Sequence, residues 1–147
     1  VGALDNSVAA LEVARANARR HETGNLKVGK SDWFSVVTAE RFNVIVANPP
    51  YIAAGDAHLS AGDLRFEPAA ALSSGTDGLD AIRLIVAQAP QYLQAGGWLA
   101  FEHGYDQAAR CRQLLQDAGF SQVFSARDLA GIERISGGCL DASRSKS

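Results

Sequence analysis

A short apolar strand that runs into two consecutive prolines is the feature that most constrains the fold. Val44-Ile45-Val46-Ala47 is followed directly by Asn48-Pro49-Pro50-Tyr51. A compact apolar run of this kind is typical of a strand that is buried on both faces of a parallel sheet. Each proline fixes φ and lacks an N–H donor, so the strand stops at Asn48 and the residues after it are stiff. The sequence therefore predicts a buried strand over residues 43–47 that presents Asn48 in a fixed geometry.

Strand-like and helix-like segments alternate through the first two thirds of the chain, and two strands then follow with only a short link. The predicted strands cover residues 1–4, 26–30, 43–47, 98–102, 122–126 and 132–137. Apolar residues at helical spacing predict helices over residues 8–18, 79–93 and 111–118, the second bent or shortened by Pro90. This order predicts an α/β fold with a mostly parallel sheet and a C-terminal antiparallel hairpin. We expect one partial domain over residues 1–140 and a polar tail over residues 141–147.

Polar side chains follow four of the predicted strands. These residues are Asp5, Asp32, Asn48 and Glu102. In open α/β sheets, ligands bind outside the carboxyl ends of the strands. The sequence therefore predicts that a functional site lies at this edge.

The segment Asn48-Pro49-Pro50-Tyr51 has the groups needed to hold a planar nitrogen. The Asn48 amide and a nearby backbone carbonyl can accept both hydrogens of an incoming –NH2 group, which orients it toward an electrophile. Tyr51 offers an aromatic face for stacking on a planar group. The alternative is a plain turn that ends a strand, with Tyr51 filling the core, because Asn-Pro and Pro-Pro pairs are common in loops.

The residues after the first two strands suggest contacts to a nucleotide-like cofactor. A carboxylate at the position of Asp5 commonly accepts hydrogen bonds from ribose hydroxyls, although it also suits the N-terminus of a helix. Asp32 can accept from an adenine amino group, and Trp33 can pack against the ring. Trp33 as an ordinary core aromatic is the alternative.

A long segment without periodic pattern runs from Ile52 to Gly78 and contains Arg65 and Glu67. Loops of this length inside compact domains are usually functional. Arg65 and Glu67 fit either a charge network that orders the loop over a site or a solvated loop.

His103 has no serine or cysteine placed to form a nucleophilic pair, so we interpret it as structural.

Composition gives little support to several classes of function. The 147 residues carry a formal net charge of -2 and no block of basic residues, so composition gives no support for a nucleic-acid substrate. Two distant cysteines form neither a metal-ligand spacing nor a disulfide framework, which fits a cytoplasmic protein. No apolar run is long enough to span a bilayer. Because methionine is absent even at residue 1, we expect an excerpt that begins inside a fold.

The order of these motifs resembles a known family. Asp5, then Ser31-Asp32-Trp33-Phe34, then Asn48-Pro49-Pro50-Tyr51 are similar to class I, Rossmann-like methyltransferases that act on planar nitrogen. Gly62-Asp63-Leu64-Arg65-Phe66-Glu67-Pro68, Gly75-Thr76-Asp77-Gly78-Leu79 and Glu102-His103-Gly104 resemble the peptide chain release factor N(5)-glutamine methyltransferases. Phe66 favours that branch over the enzymes that methylate a ribosomal-protein glutamine, which are expected to have His there.

The resemblance implies a reaction and a set of roles. Asp5 would bind the ribose of S-adenosylmethionine, with Asp32 and Trp33 along the adenine. Asn48 and Pro49 would receive the glutamine amide of the release-factor Gly-Gly-Gln motif, beside Pro50 and Tyr51, with Arg65 and Glu67 in the substrate loop. The methyl group would pass directly to nitrogen and leave S-adenosylhomocysteine, without a metal.

Three alternatives to that function stay open. They are a ribosomal-protein glutamine methyltransferase, a DNA or RNA base methyltransferase, and an inactive fragment that only binds a cofactor or partner. The family's glycine-rich loop and first strand are expected before residue 1, between the strands that end at Asp5 and Asn48. We therefore expect the chain alone to bind S-adenosylmethionine weakly and to fold with difficulty, because two groups of strands lose their shared neighbour.

Overall fold

The computed structural model describes residues 1–54 and 74–141, and the chain divides into two compact units, Val1–Glu40 and Arg41–Ser147. The first unit contains strand β1 (Gly2–Asp5), helix α1 (Val8–Arg20) and strand β2 (Lys27–Lys30). The two strands pair in parallel, with Asp5 opposite Lys30. Ser7 caps the helix, because its hydroxyl accepts a hydrogen bond of 3.3 Å from the Ala10 N–H.

The second unit is a four-stranded sheet with helices between its strands. Its elements are β3 (Phe42–Ala47), α2 (Asp80–Gln88), β4 (Leu93–Glu102), α3 (Ala108–Asp117), β5 (Phe120–Arg127) and β6 (Glu133–Leu140). The strand order is β3-β4-β6-β5. Strands β3 and β4 are parallel, and β6 is antiparallel to both β4 and β5. The predicted α/β fold with a C-terminal antiparallel hairpin is confirmed.

The core of the second unit lies between one face of β4 and the helices. Leu99 and Phe101 are buried, while Trp98, Ala100 and Glu102, which alternate with them on β4, are half-buried, as expected for a strand. Ile82 and Ile85 of α2 and Leu115 of α3 are also buried. No helix in the described part of the chain combines the length and apolar character needed to cross a bilayer.

The helix predicted over residues 79–93 is shorter than expected. Helix α2 ends at Gln88, a short 3-10 turn over Ala89–Gln91 follows, and Leu93 already begins β4. Pro90 lies in that turn and lacks an N–H group, so it cannot continue the α-helix. Because Phe42 pairs with Leu93 but Val44 pairs with Trp98, β4 bulges between these pairs.

The prediction that residues 43–47 are buried on both faces is wrong for the described structure. The exposed fractions of Val44 and Val46 are 57% and 77%. Within the described residues, β3 pairs with β4 alone, and β1 likewise pairs only with β2. Leu4 of β1, also predicted to be in a buried strand, has an exposed fraction of 43% for the same reason.

Candidate active site

The Asn48–Tyr51 turn lies at the carboxyl end of β3, beside the end of β4. Ala47 pairs with Phe101 in parallel register, so Asn48 and Glu102 follow neighbouring strands at one edge. Asn48 is exposed and Pro49 is buried. The structure therefore anchors the turn by the Pro49 side and leaves the Asn48 side chain accessible.

Hydrogen bonds hold Tyr51 at both its side chain and its backbone. Its hydroxyl donates to Oε1 of Glu102 over 3.2 Å, and its backbone carbonyl accepts from Nε2 of Gln107 over 3.0 Å. The side chain is half-buried. Tyr51 thus connects the turn to the carboxylate at the end of β4, instead of simply filling the core.

Gln107 was missed by sequence reasoning, although it is 4% exposed and contacts three segments of the chain. Its Oε1 accepts from the Gly104 N–H over 2.8 Å. Its Nε2 donates to the backbone carbonyls of Tyr51 and Asp77, the latter over 3.2 Å. A glutamine before a helix carries no sequence signal for such contacts, and only its position just after Glu102-His103-Gly104 hints at them.

The segments on either side of residues 55–73 pair with each other next to Tyr51. The Ser74 N–H donates to the Ile52 carbonyl over 2.9 Å, and the Ala54 N–H donates to the Gly75 carbonyl over 2.8 Å. The Ser74 hydroxyl accepts from the Ala81 N–H over 2.7 Å and so supports the start of α2. Arg65 and Glu67, predicted in the substrate loop, lie outside the described residues.

Asp77 forms an ion-pair cluster beside this pairing. Its two carboxylate oxygens accept from Arg83 over 2.9 and 2.6 Å, and Arg110 approaches to 3.5 Å. The hydrogen bonds from Arg83 are the largest influence on the Asp77 carboxyl and lower its pKa to about 2. The carboxylate also accepts from the Leu79 N–H over 3.1 Å, so it fixes the turn that leads into α2.

His103 is buried and takes part in a continuous chain of hydrogen bonds. Its Nδ1 lies 2.8 Å from the Gly104 carbonyl, and its Nε2 lies 2.9 Å from the Ser136 hydroxyl. Ser136 contacts Ser125 over 2.8 Å, and Arg112 donates to Ser125 over 2.7 Å. The Gly104 carbonyl can only accept, so in a neutral imidazole the proton lies on Nδ1; Ser136 then donates to Nε2, and Ser125 donates to Ser136. This arrangement agrees with the structural role predicted for His103.

In the first unit, Asp5 and Asp32 follow the two paired strands at one edge. Oδ1 of Asp5 accepts from the Ser7 N–H over 2.7 Å, and the Ser31 N–H donates to the Asp5 carbonyl over 3.0 Å. Both carboxylates are exposed. Exposed carboxylates after neighbouring strands suit the hydroxyl and amino donors of a nucleoside.

Trp33 has an unusual backbone conformation in the turn after β2. Its φ is 51°, which non-glycine residues rarely adopt. The Ser31 hydroxyl donates to the Trp33 carbonyl over 2.7 Å and helps to hold that turn. The indole is half-buried, so part of its surface is accessible to a planar ligand.

Comparison with known proteins identifies the family. The family model described as "Methyltransferase small domain" matches residues 1–78 of this chain. The chain therefore belongs to the methyltransferase small domain family. The family resemblance predicted from the sequence motifs is confirmed by the curated relatives with similar sequences.

Several curated relatives carry the name release factor glutamine methyltransferase, and two of them show the extent of the match. The one from Burkholderia pseudomallei is 55% identical over 95% of this chain and 51% of its own length. The one from Pseudomonas aeruginosa is 53% identical over 92% of this chain and 49% of its own length. The chain thus spans about half the length of the relatives it matches.

A solved structure supports the fold. The crystal structure of a methyltransferase from Pyrococcus furiosus matches with a TM-score of 0.69 at 20% identity, over 96% of this chain and 62% of that chain. At this identity the likeness concerns the fold alone. It agrees with the Rossmann-like, class I methyltransferase sheet that the resemblance implied.

Proposed function

We propose that this chain is part of the catalytic domain of an S-adenosylmethionine-dependent methyltransferase. The substrate is the side-chain amide nitrogen of glutamine in the Gly-Gly-Gln motif of peptide chain release factors. The observation that carries this proposal is the stiff Asn48–Tyr51 turn, which is held between β3, Glu102 and Gln107 with Asn48 exposed. The names of the relatives at 53% and 55% identity support the choice of substrate.

The acceptor half of the proposed site consists of Asn48, Pro49, Pro50 and Tyr51. The Asn48 side-chain oxygen and the Pro49 carbonyl accept the two hydrogens of the glutamine –NH2 group. An amide nitrogen is a poor nucleophile because its lone pair is delocalised. Acceptors fixed in advance orient that nitrogen and stabilise the positive charge that develops on it. Tyr51 lies beside the planar amide.

The cofactor half consists of Asp5, Asp32 and Trp33, which supply most of the affinity for the cofactor, and Asn48 makes a minor contribution. Asp5 accepts from the ribose hydroxyls, Asp32 accepts from the adenine amino group, and Trp33 packs along the ring. S-adenosylmethionine would supply an electrophilic methyl group: the amide nitrogen would bond to the methyl carbon as the carbon–sulfur bond breaks, S-adenosylhomocysteine would leave, and the nitrogen would release one proton to solvent. The proposed chemistry needs no metal and no covalent enzyme intermediate.

The wider role follows from that substrate. Release factors are the proposed protein partners, and we propose that Arg65 and Glu67 contact them. Neither a membrane nor a nucleic acid is a proposed partner, and the proposed location is the cytoplasm. Residues 1–140 are proposed as the catalytic portion, with residues 141–147 as a polar tail.

A chimera tests the function, because the chain spans about half of its relatives. Residues 1–147 replace the matching half of the Pseudomonas aeruginosa relative, and the chimera is incubated with release factor and methyl-labelled cofactor. We expect the label on the glutamine of the Gly-Gly-Gln motif, located by peptide mass spectrometry. Label on a ribosomal protein, RNA or DNA offered in parallel, and none on the release factor, would refute the substrate assignment.

The proposed role of Asn48 is tested by Asn48→Ala in that chimera. Removing the acceptor should lower kcat by at least about 100-fold, because the amide is no longer oriented. The Kd of the cofactor, measured by calorimetry, should change little. Asn43→Ala is the matched control, since Asn43 is exposed on the same strand. An equal loss of cofactor affinity would show that Asn48 serves the cofactor first.

A further inference from the structure

We propose that Gln107 is a positioning residue that holds the acceptor turn Asn48–Tyr51 in its reactive geometry. The proposal rests on the proposed methyltransferase function. Gln107 is the residue at which three segments meet: the acceptor turn, the Asp77–Gly78 turn and the turn after β4. It does not contact a reacting atom and acts through Tyr51.

All the hydrogen-bonding groups of the Gln107 side chain are used in this arrangement. Oε1 accepts from the Gly104 N–H over 2.8 Å. The two hydrogens on Nε2 point to the carbonyls of Tyr51 and Asp77, over 3.0 and 3.2 Å. Exchanging the oxygen and nitrogen would oppose acceptor to acceptor and donor to donor, so the network fixes the orientation of the amide.

Two glycines pack closely against the amide of Gln107. Gly78 has a φ of +75°, and a Cβ added there would lie 2.7 Å from Nε2 and clash with the Tyr51 carbonyl. A Cβ added at Gly104 would lie 3.0 Å from Oε1. The amide is thus confined on both sides and is only 4% exposed, so water cannot readily replace its hydrogen bonds.

The backbone of Gln107 is fixed as well. Its N–H donates to the Gly104 carbonyl over 3.1 Å, and its carbonyl accepts from the Cys111 N–H over 2.9 Å at the start of α3. The acceptor turn is therefore held at both ends. The pairing of Ala47 with Phe101 fixes the end before Asn48, and Gln107 fixes the carbonyl of Tyr51 at the other.

A turn held at both ends matters for methyl transfer, since a misplacement of about 1 Å can cost about 100-fold in rate.

Two substitutions separate the contacts of Gln107. Gln107→Glu keeps the size and the acceptor for Gly104 but replaces both N–H donors. Gln107→Met keeps a similar size and removes every side-chain hydrogen bond. Gln116→Glu is the matched control, because Gln116 is exposed on α3, the helix that follows Gln107.

The first measurement is kinetic and uses the chimera at a temperature where every variant is folded. We expect Gln107→Met and Gln107→Glu to lower kcat by about 10- to 100-fold, with the Kd of S-adenosylmethionine within about twofold and Gln116→Glu unchanged. Protonation of the introduced carboxyl restores one donor, so the deficit of Gln107→Glu should shrink between about pH 8 and about pH 6. If Gln107 only stabilised the fold as a whole, the kcat of the folded Gln107→Glu variant would have the same pH dependence as the wild type.

The second measurement does not need activity. Hydrogen exchange followed by mass spectrometry reports on the Ala54 and Ser74 amides, which are bonded next to the Tyr51 carbonyl. Their exchange should be about tenfold faster in Gln107→Met and unchanged in Gln116→Glu. An inactive wild-type chimera would refute the proposed function, and the exchange rates would still decide whether Gln107 holds the turn. Unchanged exchange, or a kcat within twofold of wild type in both Gln107 variants, would overturn the proposal.

Discussion

Ser136 is the central link in the buried hydrogen-bond chain between Arg112 and His103, and replacing it with alanine tests how much that chain stabilises the fold. Ser136 lies 2.9 Å from Nε2 of His103 and 2.8 Å from the Ser125 hydroxyl, and with a neutral imidazole it donates to Nε2 and accepts from Ser125. Both Ser136 and His103 have an exposed fraction of 0%. Ser136→Ala removes one oxygen atom and leaves Nε2 of His103 without its donor.

The structure allows the cost of Ser136→Ala to be estimated. A buried acceptor that loses its partner costs about 1 to 3 kcal/mol, because neither water nor another donor replaces it. Ser125 is half-buried, so water can supply part of the bond it loses. We therefore expect the free energy of unfolding to fall by about 2 kcal/mol, with Ser125→Ala costing about half as much.

The assay is equilibrium unfolding in urea, carried out on the 147-residue chain and on the chimera. The midpoint should fall while the slope with urea stays the same, which marks a change in stability alone. In a His103→Leu background the acceptor is absent, so Ser136→Ala should then cost less than about 1 kcal/mol. If Ser136→Ala lowers the free energy of unfolding by less than about 0.5 kcal/mol in the wild-type background, the assigned hydrogen-bond network is refuted.

Three further predictions concern other parts of the chain. Burial raises the pKa of the Cys111 thiol to about 12, so a thiol reagent should label it only after unfolding; stoichiometric labelling of the native chain would contradict this. Arg83 lowers the pKa of Asp77 from 3.8 to about 2, so the stability from this pair is present above about pH 4 and is lost as the pH falls toward 2. Arg83→Gln should make the melting temperature depend less on pH between about pH 4 and about pH 2. If the dependence is unchanged, the Asp77–Arg83 pair does not cause it. Calorimetric titration of the chain alone with S-adenosylmethionine should give binding weaker than micromolar, because the chain spans about half the length of its curated relatives, and micromolar binding would contradict this expectation.

The order of the elements could be predicted because its signals are local. Apolar periodicity marked each helix and strand, and the prolines at 49 and 50 marked the end of β3. Parallel pairing then placed Asn48 and Glu102, and likewise Asp5 and Asp32, at the carboxyl ends of neighbouring strands, as expected from strand ends alone. These predictions needed no knowledge of distant contacts.

Features that depend on the neighbours of a segment were not predictable in the same way. Val44 and Val46 have the composition of a fully buried strand, but their exposure depends on what pairs with β3. Leu93 fitted the helical period of α2, yet it pairs with Phe42 in the sheet. Apolar character favours burial in either element, so periodicity alone could not decide between them.

Gln107 illustrates a stronger limit. Its role depends on the Gly104 N–H and on the carbonyls of Tyr51 and Asp77, which are far apart in the sequence. No spacing rule connects them, because tertiary packing sets their distance. In the sequence, Gly78 signals only a turn. The structure shows a second role, because a side chain at Gly78 would leave no space for the Gln107 amide.

The two halves of the proposed site are each built within one unit of the fold, and this division has a kinetic consequence. Asp5 and Asp32 follow the paired strands β1 and β2, whereas Asn48 and Glu102 follow the paired strands β3 and β4. Strand pairing fixes the two members of each pair within their own unit. Asn48→Ala changes no residue of the β1–β2 pair. For that reason we expect kcat to fall much more than cofactor affinity in Asn48→Ala, and equal losses would mean that Asn48 is a main ligand of the cofactor.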